Sequence, residues 1–92
     1  MLKKKRNIVI YGRVLRGDSE LFLAEYDSER SLAYGFLVRG GNDSNAYWGY
    51  MSNVRRQDLA NQGTAGGLSQ WPQRASDVER IVRAVNSQGR YL

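Results

Sequence analysis

Apolar residues in the first half of this 92-residue chain fall in four short runs separated by turn-forming residues. β-Branched and aromatic side chains dominate the runs, which predicts strands over about 7–15, 20–26, 32–39 and 46–51. Arg16, Gly17, Asp18 and Ser19 suit a tight hairpin with Gly17 at positive φ, a register that sets Ile10 opposite Glu25 and Tyr11 opposite Ala24. Asp27 to Arg30 is a short polar connection, and Gly40 to Ser44 has the composition of a longer loop. Four strands joined in this way form an antiparallel meander.

The periodicity changes toward the C-terminus. Val78, Ile81, Val82 and Val85 recur at helical spacing, Ser76 and Glu79 read as a capping box, and Gly89 sits where a left-handed residue would end the helix. Before it, 53–61 can form one or two helical turns starting from Ser52. The stretch 62–73 holds Gly63, Gly66, Gly67 and Pro72 and reads as a loop anchored by Leu68 and Trp71. The expected fold class is α+β: a four-stranded antiparallel β meander, a C-terminal amphipathic helix packed on one face, and a short helical segment before it. The chain reads as one small domain over 1–92, with a basic arm (1–6), the meander (7–51), the short helix and Gly-rich loop (52–75) and the terminal helix (76–88).

Both faces of the meander are apolar. In the first hairpin, alternation gives Ile8, Ile10, Val14, Leu21 and Leu23 to one face and Val9, Tyr11, Leu15, Phe22, Ala24 and Tyr26 to the other. One helix covers one face, so the second is closed by the 52–73 segment, by a second copy in a homodimer, or by a binding partner.

Composition narrows the chemistry. The chain has no cysteine and no histidine, which removes disulfides, thiolate zinc sites, thiol nucleophiles and the commonest general base. No cofactor, metal site or catalytic residue is expected, and the chain reads as non-enzymatic. Ile8, Val9 and Ile10 after the basic arm are too short a run for a signal peptide or a membrane span, so the expected location is cytoplasmic. The net charge is +5, and arginine supplies most of the cations, which favours phosphate or carboxylate partners.

The cations suggest where such a partner binds. Lys3, Lys4, Lys5 and Arg6, followed by Arg13 and Arg16, can track a phosphate backbone or simply guard a sheet edge. Arg80 and Arg83 lie one helical turn apart, with Arg74 and Arg90 near the helix ends, as a basic stripe or as complements to the helix dipole. Tyr34, Phe36, Tyr47, Trp48 and Tyr50, interleaved with Arg39, Arg55 and Arg56, form either a stacking platform for bases or core anchors. Glu25, Asp27 and Glu29 at alternating positions are a weak pattern for Mg²⁺ or partners for the basic N-terminal arm folded alongside, and Glu25 is the carboxylate that a histidine-free ribonuclease would use. The glycine pairs at 40–41 and 66–67 lack the spacing of phosphate-binding loops.

The expected function is therefore non-catalytic binding of nucleic acid or a nucleoprotein complex. The alternative is a protein-binding inhibitor or adaptor that uses a sheet edge, a spare apolar face or an acidic protein surface on its target. In size, single-domain plan and lack of catalytic equipment the chain is similar to the anti-CRISPR proteins of phages and mobile elements, a likeness of general type that no motif carries. Its positive charge runs contrary to DNA mimicry.

Overall fold

The computed structural model describes residues 8–60 and 71–89. Leu68, Arg90 and the basic arm, Lys3, Lys4, Lys5 and Arg6, lie outside these residues. The elements in order are β1 (Val9–Ile10), β2 (Gly12–Arg16), β3 (Ser19–Asp27), β4 (Leu32–Arg39), a 3-10 turn (Asp43–Asn45), β5 (Tyr47–Met51), α1 (Arg56–Ala60), β6 (Gln73–Arg74), a second 3-10 turn (Ala75–Asp77) and α2 (Glu79–Ser87). Strands β2 to β5 form an antiparallel sheet in sequence order, and β1 pairs with β6. The chain is α+β, as its patterning implies.

The first hairpin has the expected register, with Arg16 opposite Ser19 and Gly17 at φ 57°. Two breaks then change which side chains share a face. The run expected as one strand divides at Tyr11: the Tyr11 N–H still donates to the Leu23 carbonyl at 2.8 Å, but Ile10 leaves the main sheet and pairs with Gln73 rather than Glu25. In β3 the register against β4 shifts between Leu23 and Glu25, leaving Ala24 as the extra residue of a bulge. Strict alternation fails past both points. Ile8 and Ile10 join Phe22 and Ala24, whereas Tyr26 joins Leu21 and Leu23.

Gly35 permits the bulge. It lies opposite Leu23, and a Cβ there would overlap the Phe22 carbonyl oxygen and stand 2.8 Å from the Phe22 carbonyl carbon. Both atoms are backbone within the sheet, so neither can move aside cheaply.

The two faces carry separate cores. On the first, Ile10, Phe22, Phe36 and Val38 pack against Ala75, Val78, Ile81, Ala84 and Val85, the apolar stripe of α2 and the turn before it. The helix begins later than the capping pattern implies: Ser76 falls in the 3-10 turn, Val78 is the N-cap, and no side chain caps the end. Gly89, at φ 70°, follows the helix as expected. On the second face Val14, Leu21, Leu23, Ala33, Leu37 and Met51 are roofed by Val54 and Leu59, so the segment after β5 closes it.

Three side-chain hydrogen bonds hold that roof. The Arg16 guanidinium donates to the Ser52 and Asn53 carbonyls at 2.6 and 2.8 Å, and the Tyr26 hydroxyl donates to the Val54 carbonyl at 2.6 Å. The Val54 N–H donates to the Ser31 carbonyl at 2.9 Å. Ser31 and Asn53, at φ 52° and 58°, are the two non-glycine residues with positive φ among the described residues, and both belong to this crossing. The strain of the left-handed region is offset by the burial of Val54, which has no exposed surface.

Two stability outcomes follow. Gly35→Ala forces the β3 bulge against backbone and is expected to cost about 3 kcal/mol, read as a lower urea midpoint, whereas an unchanged midpoint would contradict the close approach. Tyr26→Phe removes one donor and is expected to cost about 1 kcal/mol in the same assay.

Candidate functional site

Several arginines that the sequence offers to a phosphate partner are engaged within the molecule. Arg13 meets Glu20 across β2 and β3 at 3.1 Å. Arg16 grips the roof of the second core, as described above. Arg80 donates from Nε to the Asp43 carboxylate at 2.8 Å, and Arg83 reaches the other Asp43 oxygen at 3.4 Å. The Gln88 amide adds hydrogen bonds of 2.8 Å to the Asp43 and Ala46 carbonyls. Together these side chains fasten the Asp43–Asn45 turn to α2. Arg13, Arg80 and Arg83 line a 440 Å³ groove beside Trp71, and Asp77 and Glu79 share its wall, so the groove has mixed charge.

Arg39, Arg55, Arg56 and Arg74 are exposed and in no ion pair among the described residues. They do not form one stripe. Arg39 ends β4 opposite Ser19, Arg74 lies in β6 opposite Val9, and Arg55 precedes and Arg56 begins α1, which lies against β2. Tyr47 is on the second face, opposite Leu37, with its ring over Gly49, where an added Cβ would come 2.5 Å from a ring carbon.

The other aromatics go to the first face, and their neighbour is an acid rather than the arginines. Phe36 is buried against Trp48, with centroids 5.2 Å apart; Trp48 stacks with Tyr34 at 6.3 Å; and Tyr34 meets Tyr50 at 5.0 Å. The series thus runs from the core under α2 to open surface, ending at Tyr50, which is 63% exposed. Because of the bulge, Glu25 stands directly opposite Tyr34 on this face. Tyr11, at the break between β1 and β2, is 60% exposed.

Two hollows meet here. One of 340 Å³ is lined by Ile8, Val9, Tyr11, Ala24, Glu25 and Tyr34. The other, of 350 Å³, shares Glu25 and Tyr34 and is bounded by Tyr50, Leu32, Asp27 and Arg30. Burial raises the Tyr34 hydroxyl above its ordinary pKa of 10.0, and the neighbouring Tyr50 and Glu25 add to the effect by disfavouring a second negative charge. Tyr34 is therefore a neutral phenol at physiological pH.

The Glu25, Asp27 and Glu29 series has a structural role at its centre. Asp27 accepts from the Glu29 and Arg30 backbone N–H groups at 3.0 and 3.3 Å and closes the turn between β3 and β4. No group of three or more His, Cys, Asp or Glu side chains converges to hold a metal among the described residues. No helix among them is long and apolar enough to cross a membrane.

The meeting of Tyr11, Glu25, Tyr34 and Tyr50 is not legible from spacing alone. Tyr34 and Tyr50 are opposite once the β4–β5 register is known, but Tyr11 and Glu25 arrive through the two irregularities. No protein-family profile, curated protein or solved structure matches the chain.

Asp43→Asn weakens two ionic contacts to α2 and is expected to cost about 1–2 kcal/mol by chemical denaturation, with the loss reduced at high salt. The raised pKa of Tyr34 contributes stability that is present below pH 10.0 and disappears as pH rises through the folded-state value. Tyr34→Phe should accordingly lose less stability than the unmodified chain between neutral pH and strong alkali, read from chemical denaturation across that range.

Proposed function

We propose that this chain is a non-catalytic binding protein whose partner is another protein, engaged at the aromatic end of the first sheet face. The observation that carries this reading is the row of Tyr11, Tyr34 and Tyr50 beside two adjoining hollows, beyond the cover of α2. Tyrosine supplies a large amphipathic contact area with few rotatable bonds, and exposed tyrosines around partly buried apolar residues resemble the composition of interface cores. The adjoining strand β5 supports the same reading. Its residues, Tyr47 to Met51, carry no charge and no proline, and its outer edge pairs with no strand among the described residues. The opposite edge, β2, carries Arg13 and Arg16 and has α1 against it. Among the described residues, one edge is thus guarded and the other is left for strand addition.

Non-catalytic action is favoured by the absence of histidine and cysteine and by the structural engagement of Glu20, Asp27 and Asp43. An inhibitor or adaptor fits this picture. Contact with nucleic acid or a nucleoprotein is the second reading, supported by Arg39, Arg55, Arg56 and Arg74, exposed and in no ion pair among the described residues, and by the net charge of +5. A cytoplasmic setting is part of both.

Capture from nuclease-treated lysate separates the two. The tagged chain is expected to retain a protein that the double variant Tyr11→Ser, Tyr50→Ser loses and that Arg55→Ala, Arg56→Ala keeps. If capture depends on nucleic acid, or if affinity for labelled mixed-sequence DNA falls with salt at about 0.9 log unit per log unit of salt for each phosphate neutralised, the second reading replaces the first.

A further inference from the structure

We infer that the hollow beside Glu25 receives an arginine side chain of the partner protein, its guanidinium paired with the Glu25 carboxylate and stacked on the flanking tyrosine rings. This inference rests on the reading of the aromatic end of the sheet as the partner-binding surface.

Glu25 is the charged member of an otherwise aromatic and apolar row, exposed and in no ion pair among the described residues. Glu20, Asp27 and Asp43, by contrast, each have an arginine within 4.0 Å. Among the described residues, the arginine that meets a carboxylate of the Glu25, Asp27 and Glu29 series is Arg30, whose guanidinium nitrogen is directed to Asp27 at 3.8 Å. Among the residues lining the first hollow Glu25 is the one that carries a charge, and a carboxylate there favours a cation.

The walls select the kind of cation. Tyr11 and Tyr34 with Ile8 and Val9 line the first hollow, and Tyr34 and Tyr50 with Leu32 line the adjoining one, so aromatic and apolar walls flank Glu25 on both sides. A guanidinium is weakly hydrated, stacks on aromatic faces and presents paired N–H donors to a carboxylate, whereas an ammonium gives up more hydration to enter such a place. The methylene stem of arginine can lie along the apolar wall. Because the Tyr34 hydroxyl stays neutral, it adds no charge to compete with Glu25 for the bound group.

The test is an NMR titration of the full chain with N-acetyl-arginine methylamide, its neutral citrulline counterpart and its norleucine counterpart. The arginine probe should give saturable shifts at Tyr11, Glu25, Tyr34 and Tyr50. Citrulline, or arginine with the Glu25→Gln variant, should bind about fivefold more weakly, the size expected for an exposed ion pair joined to a cation–π contact. Equal affinity for arginine and norleucine, or arginine binding undiminished in Glu25→Gln, overturns the arginine site and leaves an apolar interface standing. Absence of shifts on this face with every probe, together with partner capture that survives Tyr11→Ser, Tyr50→Ser, overturns both the site and the surface on which it rests.

Discussion

One extra residue in β3, tolerated because Gly35 has no side chain, determines what each face of the sheet presents. Without the bulge at Ala24, alternation would put Glu25 with Leu21 and Leu23 in the second core and Tyr26 on the first face. With it, Glu25 reaches the open surface beside Tyr34, and Tyr26 turns inward to hold the Val54 carbonyl. The same half-turn of phase thus spares a carboxylate from burial, which is costly without a partner, and supplies the donor that the roof of the second core requires. Candidate surface and core depend on a single close approach between Gly35 and the backbone of Phe22.

The sheet also has to hide two apolar faces with little chain left to do it. The C-terminal helix covers the first with a stripe of small and branched residues, and Ala84, fully buried, lets it sit close. Among the described residues, the second face is covered by the short stretch after β5. Val54 and Leu59 supply modest apolar area there, and the precision comes from polar contacts: Arg16 and Tyr26 bind three consecutive main-chain carbonyls of that stretch. An arginine that composition alone assigns to a phosphate partner is thereby accounted for by backbone geometry. Arg80 and Arg83 are accounted for in a similar way by Asp43, a residue within a loop whose glycine-rich composition conceals its role as a fastening point.

What was legible in the sequence follows from the range of the forces involved. Strands and the terminal helix are local, and their periodicity and turn residues mark them to within a few positions; Gly17 and Gly89 take the positive φ expected of them. The face assignments depend on phase, and phase is lost at Tyr11 and Ala24, where the cause lies in distant residues: β6 draws Ile10 away, and Gly35 makes room for the bulge. The capping box at Ser76 and Glu79 was misleading because a 3-10 turn serves the same stretch of chain and carries Ala75 into the core. The aromatic row was visible as composition, but its acidic neighbour was not, since the interleaving of tyrosines with arginines along the sequence does not survive the separation of strand faces.

The two cores also differ in when the chain can complete them. The described residues of the second core lie between Val14 and Leu59, in strands joined by short connections and the segment after β5, so they meet with few distant contacts. The first core needs Ala75 to Val85 to return to strands laid down much earlier, and β1 finds its partner only when Gln73 and Arg74 arrive. Since loop closure slows with sequence separation, a chain emerging from the ribosome can seal one side of its sheet while the other waits for the arrival of α2.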